Sequence, residues 1–113
     1  MSINPQATLD TGWIPLTLED NWVQYSSQYG VPVYRKIGKT VYLRSLIKNG
    51  TGSVVATLPV GFRPSWQVLT VAQTAGNADD DQCRVDIATD GRILAYSYHS
   101  SWLSLGNISF LVD

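Results

Sequence analysis

The chain has 113 residues and a mass of 12.5 kDa, the size of one domain. Hydrophobic residues make up 44% and charged residues 15%, with a formal net charge of −1. That is enough apolar material for a core, but it offers no membrane-length run, no expected secretory leader and no basic footprint for nucleic acid. The single cysteine, Cys83, and the single histidine, His99, exclude an internal disulfide, a thiolate-rich zinc site and a histidine-based metal centre.

Residues 1–11 are polar and unpatterned around Pro5 and read as a linker or tail; residues 12–113 read as a single head domain. From Gly12 onward the apolar period is two. Ile14, Leu16 and Leu18 alternate, with Pro15 marking a strand start or an edge. Trp22, Val23 and Tyr25 follow, then a polar loop at 26–30. Val33-Tyr34-Arg35-Lys36-Ile37 and Thr40-Val41-Tyr42-Leu43-Arg44 flank Gly38-Lys39, a two-residue loop with glycine first. This predicts a hairpin closed by a type II′ turn.

Asn49-Gly50-Thr51-Gly52 predicts a turn, and residues 53–58 a short strand. Residues 59–64, Pro-Val-Gly-Phe-Arg-Pro, break regular structure twice and read as a shaped connection. A strand over 66–74, a loop over 75–81 and the alternating strand Cys83-Arg84-Val85-Asp86-Ile87 come next. A turn centred on Asp90-Gly91 joins this last strand to one over 93–98. Residues 102–105 and 108–112 close the chain around Gly106-Asn107. The sequons at Asn49 and Asn107 fall on turns and read as chance matches. No stretch of about ten residues carries a helical stripe. About eight or nine short strands predict an all-β fold, an antiparallel β-sandwich or jelly-roll-like barrel.

Four segments give a further resemblance: Gly12-Trp13-Ile14-Pro15-Leu16 with Trp22 and Tyr25; residues 34–44; Thr57-Leu58-Pro59-Val60-Gly61-Phe62-Arg63-Pro64; and residues 101–110. Together they resemble the C-terminal head, or tip, domain of receptor-binding, tail-fibre or baseplate proteins of tailed phages and prophages of Gram-positive bacteria. The likeness covers residues 12–112, and the Leu-Pro-x-Gly-Phe-Arg-Pro piece is its most specific part. It implies a homotrimer at the virion tail tip, joined to upstream fibre or baseplate proteins. The implied role is attachment to a cell-wall or surface saccharide outside the host cell, without nucleic acid or membrane insertion. Apolar strand segments such as Val54-Val55 and 103–105 fit faces buried between subunits. The likeness says little about 65–83 and 94–101, where such modules differ from one another.

The Leu58–Pro64 segment reads as a rigid corner, with Phe62 as an anchor and Arg63 free to meet a carboxylate across a subunit contact. Tyr96 and Tyr98, on one face of a strand with Ile93 and Ala95 on the other, stand beside His99 and Trp102. They form either a sugar platform or an aromatic face between subunits. Trp66, Asp80, Asp81 and Arg84 complete the candidate saccharide-binding set; Trp66 follows a Pro-Ser turn, and the aspartates offer acceptors for hydroxyls. The Asp79–Asp81 run lacks the alternating oxygen spacing of a calcium loop and reads as solvated. No metal or cofactor is expected. No paired carboxylates, nucleophile elbow or phosphate loop stand with His99, so no catalysis is expected. Two alternatives remain: a structural trimerisation cap without receptor contact, and a monomeric carbohydrate-binding module of a wall hydrolase.

Overall fold

The computed structural model describes residues 9–75 and 81–112. Within them the chain forms eleven short strands: β1 (Ile14–Pro15), β2 (Val23–Gln24), β3 (Val33–Ile37), β4 (Thr40–Arg44), β5 (Leu46–Lys48), β6 (Val54–Thr57), β7 (Val68–Gln73), β8 (Gln82–Ile87), β9 (Arg92–Tyr96), β10 (Leu103–Ser104) and β11 (Ser109–Leu111). A single 3-10 turn lies at Ser27–Tyr29. The strands pair antiparallel throughout, in three sheets ordered β1-β3-β4-β11, β10-β5-β2 and β6-β9-β8-β7.

The all-β, antiparallel expectation holds, and the eight or nine strands expected for a sandwich or jelly-roll-like barrel are eleven, in three sheets. One of the additional strands, β5, has a physical source at Ser45. The chain from 40 to 48 is one apolar-alternating run, yet Ser45 sits at φ 99°, a left-handed conformation that costs a non-glycine residue about 1–3 kcal/mol. The run therefore bends, and its two halves join different sheets. Ser45 is held there by its own groups: Oγ donates to the Val31 carbonyl (2.8 Å), and its carbonyl accepts from Leu105 N–H (2.8 Å).

The β3–β4 hairpin forms as predicted. Ile37 pairs with Thr40, and Gly38 alone of the two loop residues has positive φ, 61°, as a II′ turn requires. Alternation then sorts the side chains. Tyr34, Val41 and Leu43 of the pair, with Phe110 of β11, point inward and are buried. Arg35, Tyr42 and Arg44 point outward. Val55, Val85, Ile87, Ile93 and Ala95 from the third sheet meet them in one apolar core with Ile47, Leu58, Leu103, Leu105 and Ile108. Val55, Leu103 and Leu105 are thus buried inside the single chain and leave no apolar face for a neighbour. Exposed apolar side chains lie elsewhere, among them Leu69 (61%) and Val71 (62%) on edge strand β7.

Residues 9–11, tail-like by composition, run beside the end of β3. Leu9 O accepts from Gly38 N–H, Thr11 N–H donates to Lys36 O, and Asp10 grips Arg35 through two hydrogen bonds.

The Leu58–Pro64 segment is a locked corner. Phe62 N–H closes a turn onto Pro59 O (3.1 Å), and the Phe62 ring meets Tyr34 edge-on at 5.0 Å. Arg63 Nε donates to Leu58 O at 2.8 Å, so this guanidinium staples its own corner. Gly91 makes room for it: a Cβ there would stand 2.3 Å from Leu58 O and 2.8 Å from Arg63 Nε.

Gly50 shows the same tight fit, since a Cβ would fall 2.0 Å from the Trp22 ring. Gly50→Ala is expected to lower unfolding free energy in urea by about 1–3 kcal/mol through overpacking. Gly106→Ala, whose Cβ would meet nothing nearer than Ser104 Oγ at 3.5 Å, is expected to stay within about 0.5 kcal/mol of wild type.

Candidate functional site

The outer face of β7, β8 and β9 brings together two of the sequence-predicted residues. Arg84 and Asp86, two apart on β8, share a face, and Tyr96 lies directly across from Arg84 on β9. The Arg84 guanidinium lies 5.3 Å over the Tyr96 ring and gives Asp86 two hydrogen bonds, Nε at 2.8 Å and Nη2 at 2.7 Å. Gln67 Nε2 adds a third at 2.8 Å. Asp86 is fully buried, so its charge is tolerated because it is saturated with donors. These donors, the Arg84 bonds foremost, hold its carboxyl below the usual range against the opposing cost of burial. Beside this group, Leu69, Thr70, Val71, Gln82, Cys83, Arg84 and Ser97 line an open, mostly apolar depression of about 400 Å³. Cys83 is buried beneath it, and burial pushes its thiol pKa up.

Tyr98 does not join this face. Ser97 adopts φ 56°, which ends β9 at Tyr96 and turns the next side chain away. The Tyr98 ring packs on Trp22 with centroids 4.7 Å apart, and its hydroxyl donates to Gly52 O at 2.9 Å. Its polar tip is engaged in holding the 49–52 turn. His99 closes a turn: its N–H donates to Thr74 Oγ1 (2.8 Å), and its Nδ1 accepts from Ser101 N–H (3.2 Å). Buried Thr74 also faces the carbonyls of His99 and Trp102 through Oγ1, pinning the 97–102 loop to the end of β7. Trp66 is 82% exposed, on the rim of a groove of about 290 Å³ with Pro64, Ser65, Val68, Phe110 and Leu111. Asp81 is exposed at the start of β8. Asp79 and Asp80 lie outside the described residues.

A second cleft was not singled out from sequence. Trp13, residues 27–31, Val33, Arg44 and Ser45 line a depression of about 370 Å³. β1 pairs with β3 so that Trp13 lies on the outer face, where the guanidinium groups of Arg35 and Arg44 lie 5.3 Å and 5.5 Å from its ring centre. Tyr29 on the opposite wall is steadied by an edge-on contact with Tyr25 at 5.7 Å. The sequence signal was present: period-two alternation puts Arg35 and Arg44 outward. The pairing that brings Trp13 to them is a long-range register.

No family model matches the sequence, and no curated protein matches it significantly. Among solved structures, the fold matches that of the receptor binding protein (gp15) of Listeria phage PSA, with a TM-score of 0.74 and 21% identity. The match covers 95% of this chain and 66% of that one; the chain spans about two thirds of the length of that protein. The chain therefore shares its all-β fold with a phage receptor binding protein.

Three carboxylates are held down by arginine-linked bonds. Arg35, then Gly12 N–H, lowers Asp10 to about 2 from 3.8; Arg84 and then Gln67 lower Asp86; the Arg92 backbone and side chain lower Asp90. A carboxyl whose folded pKa is depressed stabilises fully above its unfolded value, near 3.8, and loses that contribution as pH falls through the folded value. The melting temperature is expected to be flat above about pH 5 and to fall below about pH 4. Asp86→Asn is expected to cost about 1–3 kcal/mol at neutral pH and to flatten part of the acid limb, as read by thermal melts across pH.

Proposed function

We propose that this chain is a non-catalytic receptor-binding domain of a tailed-phage particle, attaching it to a cell-wall or surface saccharide of a Gram-positive host. The observation that carries this is the fold shared, over 95% of the chain, with the Listeria phage protein. The motif resemblance to head domains of Gram-positive phages agrees with it. The domain would sit at the tail tip, in a fibre or baseplate, and act outside the cell.

The surface chemistry suits sugar binding. The open depression at Trp13, Tyr29 and Arg44 carries aromatic rings beside a planar guanidinium group, and sugars offer C–H faces to rings and hydroxyls to planar donors. Catalysis fits less well. Hydrolysis of a glycosidic bond calls for a pair of carboxyls flanking the scissile bond, whereas the carboxylates of Asp10, Asp86 and Asp90 are each tied up by an arginine.

Shallow sites bind weakly, so a homotrimer is part of the proposal. Several sites on one particle raise the effective affinity by about 10²–10⁴ without a new contact. Exposed Leu69 and Val71 on edge strand β7 supply apolar surface of the kind that subunit contacts cover.

Light scattering behind a sizing column is expected to give three times the 12.5 kDa chain mass, and the trimer is expected to be captured by purified wall polysaccharide or intact host cells. A trimer that captures neither across a panel of Gram-positive walls would point to a structural cap. A monomer that binds would point to a carbohydrate-binding module.

A further inference from the structure

The chain has eight basic side chains, and most of them are engaged. Arg35, Arg84 and Arg92 form ion pairs with Asp10, Asp86 and Asp90. Lys36 and Arg63 donate to the carbonyls of Gly61 and Leu58, and Lys48 lies over Tyr25. Arg44 differs. It sits over the Trp13 ring at 5.5 Å and has no ion pair or hydrogen bond to any described residue, although it lines the 370 Å³ cleft. No Asp or Glu is among the residues that line this cleft.

The rest of the lining complements that free charge. Trp13 (39% exposed) and Tyr29 (44%) present ring surface, and Ser27 and Gln28 add polar side chains. Ser45 in the wall takes φ 99°, a costly conformation for a non-glycine residue, beside Gly30 at φ 81°, which glycine adopts freely. Strain of this kind concentrates at binding sites. A guanidinium held on an aromatic face keeps its outer N–H fork in plane and free, the geometry that carboxylate and phosphate oxygens accept bidentately.

We propose that this cleft binds a sugar unit carrying an anionic group, a carboxylate or a phosphate ester. The sugar's C–H face lies on Trp13 or Tyr29, its anion accepts from Arg44, and its hydroxyls meet Gln28 and Ser27. This rests on the receptor-binding function proposed above and gives that function a recognition site and a ligand chemistry. The Arg84–Tyr96 face is poorly suited to the same ligand, because Asp86 already occupies two of the Arg84 donors.

The test is a ¹⁵N-correlation NMR titration of the full chain with methyl glucuronide, glucose 1-phosphate and methyl glucoside, with the Trp13 indole N–H assigned by its loss in Trp13→Phe. At least one anionic sugar is expected to shift the Trp13 signal. Arg44→Gln is expected to weaken that binding about tenfold, and Arg92→Gln to leave it unchanged. A shift with glucuronide alone identifies a carboxylate site, and one with the phosphate alone a phosphate-ester site. Equal shifts with methyl glucoside, equal affinity in Arg44→Gln, or no shift at Trp13 would overturn the proposal. Wall-polysaccharide capture is read separately: capture that survives in Arg44→Gln removes this site while the receptor-binding function stands, and loss of all capture by wild type removes both.

Discussion

The bend at Ser45 is the constraint on which the rest of the structure depends. Between Thr40 and Lys48 the apolar alternation would build one long strand, with Val41, Leu43 and Ile47 all requiring burial. A straight strand of that length would bury them against a single layer. By taking φ 99° at Ser45, the chain sends β4 into one sheet and β5 into another while keeping Val41, Leu43 and Ile47 buried. The backbone penalty of about 1–3 kcal/mol is offset by two hydrogen bonds to Ser45 and by burial of Leu43 and Ile47, two residues away on either side. The same bend opens the cleft walled by Arg44 and Ser45, so a folding solution and a surface feature share one residue.

Charge is distributed by a simple rule that separates structural from available groups. Each arginine paired with an aspartate lies two residues away on the same strand or turn, as with Arg84–Asp86 and Arg92–Asp90, or faces a docked segment, as with Arg35–Asp10. Such pairs fix geometry and use up the donors. Arg84 keeps its plane on Tyr96 because Asp86 anchors it, which makes the pair rigid but largely self-satisfied. Arg44 has the same cation–aromatic arrangement with Trp13 and no carboxylate. The two faces therefore differ in what they can still offer a ligand, although composition alone makes them look alike.

Much of the fold was legible because it is written in local rules. Gly38-Lys39 dictates its turn, period two selects strands, and the Pro and Gly positions of 58–64 dictate a corner. What could not be read were the places where one residue departs from its neighbours' pattern. A serine at position 45 or 97 carries no sign of positive φ, since serine has no intrinsic preference for it. Yet Ser45 sets the number of sheets, and Ser97 ends β9 and parts Tyr98 from Tyr96. For the same reason the aromatic pair expected from strand alternation separates, with Tyr98 committed to Trp22 and the Gly52 carbonyl. Arg84 with Tyr96 was reachable from alternation within two adjacent strands. Trp13 with Arg44 was not, because a two-residue strand such as β1 has too short a pattern to reveal its register.

The residues that hold the core together are also those least available at the surface, and that division shapes how binding can work. The rigid parts, the locked 58–64 corner and the Trp22–Tyr98–Gly52 contact, place aromatic polar tips inside the fold. Of the exposed rings, Trp13 and Tyr29 share one open depression, Trp66 rims another, and Tyr96 lies on the β8–β9 face. A surface built this way can make only small contact areas at each place, and small contacts lose most of their gain to the entropy of association. For the receptor-binding role proposed above, strength would come from repetition, because linked copies pay the association cost once while each adds its own contact. On that proposal, shallow depressions of the kind seen among the described residues suit adhesion as members of a multivalent array.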